Sequence, residues 1–123
     1  MSDTNFFELK GQIITDISNL GVGSQEVEIF TGSNRYWLYH LQDCCEYVRI
    51  VKIIGNIDDI INREIIFAEE DAGANEPDWH DEYIDSSHTW TKYVLKTKNA
   101  SLEFWFLGES NGYYSENISI KKI

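Results

Sequence analysis

The stretch Ser101-Leu102-Glu103-Phe104-Trp105-Phe106-Leu107-Gly108 decides the fold class. Leu102, Phe104 and Phe106 alternate with Ser101, Glu103 and Trp105, the two-residue period of a strand with one face in a core. Just before it, Asn99-Ala100 makes a tight connection. His88 to Lys98, rich in Thr, Tyr and Val, reads as the partner strand of a hairpin. Working outward, Val27 and Ile29 alternate with Glu26 and Glu28, Thr31-Gly32-Ser33-Asn34-Arg35 has the length of a hairpin turn, and Tyr36 to Gln42 is rich in aromatics. Residues 25–42 are therefore a second predicted hairpin.

The rest of the chain follows the same reading. Tyr47 to Ile54 is a β-branched, apolar strand stopped by Gly55-Asn56, and Glu64 to Glu69 resumes a strand. Ile57, Ile60 and Ile61 stand at i, i+3 and i+4, which predicts one short helix. Residues 11–18 read as a first strand, Gly21-Val22-Gly23-Ser24 and Ser110-Asn111-Gly112 as turns, and Asn117 to Ile123 as a closing strand. The expectation is a mainly β single domain over 1–123. It would be one antiparallel sheet or open barrel of about seven or eight strands, with a short inserted helix.

The net charge of -11 disfavours direct nucleic-acid binding, because phosphate contacts need a basic surface. That charge is local. Residues 69–85 hold eight acids (Glu69, Glu70, Asp71, Glu76, Asp78, Asp81, Glu82, Asp85) and no Lys or Arg, against thirteen acids and ten bases elsewhere. With Gly73, Pro77 and little periodicity, the segment reads as a long surface loop. Trp79 and Tyr83 among the acids would be aromatic anchors in an interface. Asp78, Trp79, Asp81, Glu82, Tyr83 and Asp85 are the candidate partner-binding residues, and the partner would carry a basic nucleic-acid-binding groove. Residues 71–76 offer alternate oxygen donors but lack the spacing of an EF-hand calcium loop.

A second cluster carries reactive chemistry. His40-Leu41-Gln42-Asp43-Cys44-Cys45-Glu46 gathers an imidazole, two thiols and two carboxylates. A disulfide between neighbouring cysteines closes a small ring through their own peptide, so free thiols or metal thiolates are expected. Thiolate and imidazole are the ligands zinc prefers, and the four-residue spacing puts His40 and Cys44 on one side of a strand or a helix. His40, Cys44 and Cys45 are the candidate Zn2+ ligands, with Asp43, Glu46, His80 or His88 supplying a fourth. The competing reading makes the cysteines small buried hydrophobes and His40 a hydrogen-bonded core residue. A nucleophilic thiol is disfavoured, since Asp43 and Glu46 would oppose a thiolate. Trp90, Tyr93, Phe104, Trp105 and Phe106 fit core packing better than a ligand platform. Phosphate-loop, H-E-x-x-H and nucleophile-elbow motifs are absent from the sequence. No run approaches the apolar length of a membrane helix, and Met1 to Asn5 opens no signal-peptide pattern, so a cytoplasmic protein is expected.

Tyr39 to Glu46, then Gly55 with Asp58-Asp59-Ile60, Ala68-Glu69-Glu70, Thr89-Trp90-Thr91-Lys92-Tyr93, and Glu109 to Glu116 resemble, in that order, a small domain family of unknown function found mainly in bacteriophage and prophage genomes. The likeness runs from about residue 10 to the end. The motifs H-x-Q-D-C-C-E (His40 to Glu46) and S-N-G-Y-Y-S-E (Ser110 to Glu116) are intact. Asn56 stands where an Asp is usual, and Asn62-Arg63-Glu64 replaces a Gly- and Pro-containing turn. The resemblance implies a phage-borne protein working inside the bacterial host cell. It would act as a non-enzymatic counter-defence inhibitor, such as an anti-CRISPR acting on a Cas nuclease, its fold held by the zinc or thiol site. The alternative is a metal-dependent hydrolase or thiol enzyme centred on His40, Cys44 and Cys45, with Asp43 or Glu46 activating water.

Overall fold

The computed structural model describes residues 2–123. Among them the strands are β1 (Ser2–Asp3), β2 (Ile14–Ser18), β3 (Glu26–Thr31), β4 (Arg35–Tyr39), β5 (Tyr47–Ile54), β6 (Phe67–Ala74), β7 (Ser87–Lys96), β8 (Ser101–Ser110) and β9 (Ser119–Lys122). The mainly β reading holds, but the strands divide between two antiparallel sheets. One has the order β1-β9-β4-β3-β2 and the other β5-β8-β7-β6. Both predicted hairpins form, with Val27 opposite Leu38 and Tyr93 opposite Phe104.

The inward faces of the two sheets share one core. Val27, Ile29, Tyr36 and Leu38 come from the first sheet, and Val48, Ile50, Tyr93, Leu95, Leu102, Phe104 and Phe106 from the second. Tyr93 and Phe104 stack at 5.2 Å by ring centroid, and Phe6 meets them tilted at 4.8 Å and edge-on at 6.4 Å respectively. Phe6 and Leu9 reach this core from a single 3-10 turn, Phe6–Leu9, that the alternation pattern does not reveal. Glu8 on that turn accepts from the Tyr36 hydroxyl at 2.6 Å and pairs with Lys122 at 3.0 Å, tying the N-terminal segment to the first sheet.

Two expectations change. The apolar spacing at Ile57, Ile60 and Ile61 yields one 3-10 turn, Ile57–Asp59, in place of a short helix. The turn is held by Asn56 at its start and left again at Asn62, whose φ is 64°. Ile60 and Ile65 are fully buried, so the apolar residues plug the core without a longer helix. The acidic stretch is not all loop either. Glu69 to Ala74 complete β6, paired with β7 and lying at the edge of its sheet, and the loop proper begins after them. An edge strand that turns almost every side chain to solvent shows no two-residue alternation, which is why its second half reads as loop.

β8 is covered on both faces. Its odd-numbered side chains Trp105 and Leu107 join Trp90 in a second apolar cluster on the outside of the sheet. The 75–86 segment folds over that cluster through Trp79 and Ile84, Trp79 meeting Trp90 and Trp105 edge-on at 5.6 Å each. The five aromatics are thus packing groups, divided between two clusters.

Phe104 is fully buried at the junction of Phe6, Tyr93 and Phe106. Phe104→Ala is expected to lower the unfolding free energy by about 3–5 kcal/mol, measured by urea denaturation. A loss below about 1 kcal/mol would show that this ring is not central to the core.

Candidate functional site

Two segments carry the chain between the sheets at the same end of the molecule. Residues 40–46 cross from β4 to β5, and residues 111–118 cross from β8 to β9. The two crossings meet because Tyr39 pairs with Ser119 and Tyr47 with Glu109. They are the H-x-Q-D-C-C-E and S-N-G-Y-Y-S-E segments, so the topology brings together two motifs about seventy residues apart.

The first crossing is built around Glu46, whose side chain is fully shielded from solvent. Its Oε1 accepts from the Cys44 backbone N–H at 2.8 Å and from Gln42 Nε2 at 3.1 Å. Its Oε2 faces His40 Nε2 at 2.9 Å and accepts from the Asp43 N–H at 3.0 Å. Burial would push this carboxyl up. The hydrogen bonds from His40 and from the backbone N–H groups outweigh it and hold the group at about 2, against 4.5 for an ordinary glutamate. The other nitrogen of His40, Nδ1, lies 2.7 Å from the Asn117 carbonyl oxygen. Each ring nitrogen of His40 thus faces an oxygen acceptor, and the ring bridges Glu46 to the Asn117 carbonyl.

The second crossing repeats the device. Glu116 is buried and accepts from Thr89 Oγ1 at 2.7 Å and from the Ser110 hydroxyl. Burial raises its carboxyl. The hydroxyls of Ser110, Thr89 and Ser87 and the nearby His88 bring it below the ordinary value. Gly108 makes room for it, since a Cβ there would lie 2.8 Å from the Glu116 carbonyl oxygen and 2.9 Å from its Cβ. The His40–Asn117 hydrogen bond joins the two crossings. Between them lies a cleft of about 520 Å³ lined by His40, Leu41, Gln42 and Asp43 on one side and Ser115, Asn117 and Ser119 on the other.

The predicted ligand set comes together in part. His40, Asp43 and Glu46 converge, but through Glu46 as hydrogen-bond acceptor. Asp43 contributes its backbone N–H while its side chain faces solvent. Cys44 and Cys45 are exposed, which corrects the buried-hydrophobe reading. They are joined in a disulfide, which corrects the expectation of free thiols. A disulfide offers no thiolate, so a zinc ion at His40, Cys44 and Cys45 would require the reduced chain. Among the described residues no group of three or more His, Cys, Asp or Glu side chains is disposed to hold a metal ion. His80 lies with Trp79 and Trp90 and is paired with Glu76 at 3.4 Å, while His88 is exposed on β7.

The partner-binding set divides. Asp78, Asp81, Glu82, Asp85 and Tyr83 are exposed, Tyr83 at 90%. Trp79 is half-buried in the outer aromatic cluster, so it anchors its own loop. Sequence reasoning missed Glu116, Thr89 and Gly108 as a working unit. The one available signal was that both motifs end in glutamate.

A family model described as a domain of unknown function (DUF7448) matches residues 8–120, and the chain belongs to that family. No curated protein and no solved structure matches it. Among the described residues no helix is long and apolar enough to cross a membrane.

Glu46 titrates near 2 when folded and near 4.5 when free. Its contribution to stability is therefore complete above about 4.5 and is lost as pH falls toward 2. Glu46→Gln is expected to be less stable than the wild type at neutral pH, with the gap closing as pH drops below about 4.5. Urea unfolding of both proteins across this range measures the gap. A gap that does not change with pH would mean that the carboxylate charge is not what organises the crossing.

Proposed function

For this member of a family without an assigned activity, we propose a binding role. The protein is a non-enzymatic inhibitor that docks the acidic strip formed by β6 and residues 75–86 into a basic groove on a partner. The observation that carries this reading is uncompensated charge. Of the eight acids in 69–85, Glu76 alone is within ion-pair distance of a basic group, His80, among the described residues. Glu70 accepts from the neutral Tyr93 hydroxyl at 2.6 Å. Such a one-signed surface steers a basic partner into encounter and loses strength as salt rises. Tyr83 stands among the acids as an exposed aromatic contact of the kind that dominates binding energy.

The finer reading is a counter-defence protein acting in the bacterial cytoplasm against a nucleic-acid enzyme such as a Cas nuclease. It rests on the resemblance to phage domains together with this surface. The enzyme alternative draws less support. Glu46 is shielded from solvent and both of its oxygens are engaged, so it is not placed to activate water. The Glu46 and Glu116 networks brace the two crossings.

The test is nuclease inhibition with a panel of guide-loaded Cas nucleases, the protein added before the target DNA. Inhibition is expected to compete with DNA and to weaken with salt. Changing Asp78, Asp81 and Asp85 to Asn and Glu82 to Gln together should reduce affinity at least about tenfold, about 1.4 kcal/mol, with no loss in unfolding midpoint. Affinity unchanged in the quadruple variant would remove the acidic strip from the interface.

A further inference from the structure

The chain's two cysteines are adjacent, exposed, and bonded to each other on the outside of the 40–46 crossing. We propose that Cys44–Cys45 is a reversible two-electron redox site, opened by a dithiol reductant, whose state sets the shape of the cleft between the two crossings.

Three observations lead there. The first is access. Thiol–disulfide exchange requires an attacking thiolate to reach a sulfur, and both cysteines lie at the surface. The second is placement of the ring. The disulfide closes a ring through the Cys44–Cys45 peptide, so that peptide is held while the bond exists and is free to turn once it opens. Its carbonyl, Cys44 O, accepts from Gln42 Nε2 at 3.2 Å, and the preceding peptide places the N–H of Cys44 on Glu46 Oε1 at 2.8 Å. The third is continuity with the cleft. Glu46 holds His40, His40 holds the Asn117 carbonyl, and His40 and Gln42 on one side face Asn117 on the other. A Cys44–Cys45 peptide that turns takes the Cys44 carbonyl away from Gln42 Nε2, which is then left on Glu46 alone, at 2.8 Å from its carbonyl oxygen and 3.1 Å from Oε1, and this shifts the wall formed by residues 40–43.

The exchange balances as follows. A thiolate of the reductant attacks the Sγ of one cysteine, the Cys44–Cys45 S–S bond breaks, and the other cysteine leaves as a thiolate and takes up a proton. The second thiol of the reductant then attacks the mixed disulfide. This forms the reductant's own disulfide and frees the remaining cysteine, which is likewise protonated. Two electrons and two protons pass to the pair. An external disulfide such as oxidised glutathione reverses the sequence.

The proposal is independent of the acidic strip and is tested on the full chain alone. Because the sequence holds no other cysteine, a thiol count reads the site directly. Native protein purified in air should show no titratable thiol. It should show two after dithiothreitol and desalting, and none again after oxidised glutathione. Backbone amide NMR in the same cycle should move the signals of residues 42–46 and of Ile118, whose N–H shares a peptide with the Asn117 carbonyl, and then restore them. A Cys44→Ser, Cys45→Ser double variant should respond to neither reagent, and should it fail to fold, the wild-type cycle decides alone. Thiols that do not pair under oxidised glutathione would overturn the proposal. So would NMR changes confined to residues 44 and 45.

Discussion

Glu46 is a charge withdrawn from water, and one end of the molecule is arranged to supply it with donors. A buried carboxylate without partners is strongly destabilising. The chain answers by folding residues 40–46 back on themselves, so that two backbone N–H groups, an amide and an imidazole converge on two oxygens. That convergence makes the crossing too irregular for a hairpin turn. The crossing leads from β4 in the first sheet to β5 in the second. Glu116 does the same for the return crossing with hydroxyls as donors. The His40–Asn117 hydrogen bond makes the two crossings one structure.

The acidic strip follows a different logic. β6 is an edge strand with one row of backbone groups unpaired, and charged side chains at an edge discourage strand addition by another copy. Glu69, Glu70 and Asp71 meet that need. The acids beyond β6 do not, because they lie on a segment that already covers the outer aromatic cluster through Trp79 and Ile84. Packing therefore anchors the segment by its apolar residues and leaves Asp78, Asp81, Glu82, Tyr83 and Asp85 facing outward. Surplus like charge held on a fixed surface opposes the compact state, which is the physical ground for giving it a role in binding.

Legibility in the sequence tracked how far local pattern and tertiary environment agree. The β3–β4 and β7–β8 hairpins were readable because one face of each strand is buried and the period of two survives. The second half of β6 was not, because an exposed edge removes the alternation. The 57–61 segment misled in the opposite direction, its isoleucines spaced for a helix but held in a single 3-10 turn by Asn56 and Asn62. At the candidate site, residue chemistry drew attention to the soft metal ligands. The structure centres the site on a carboxylate whose importance depends on burial, a property that no residue carries in its name.

The sequence by itself determined the β class, the two hairpins, the concentration of negative charge in 69–85 and the presence of two motif segments. These are local quantities, set by period, composition and residue type. The tertiary structure alone decided that the strands form two sheets, that Trp79 faces its own protein and that the adjacent cysteines face solvent as a disulfide. It also decided that Glu46 and Glu116, seventy residues apart, close the same end of the molecule. Each of those depends on which distant backbone groups come within hydrogen-bonding reach and which side chains lose their water. Both are fixed only when the two crossings meet.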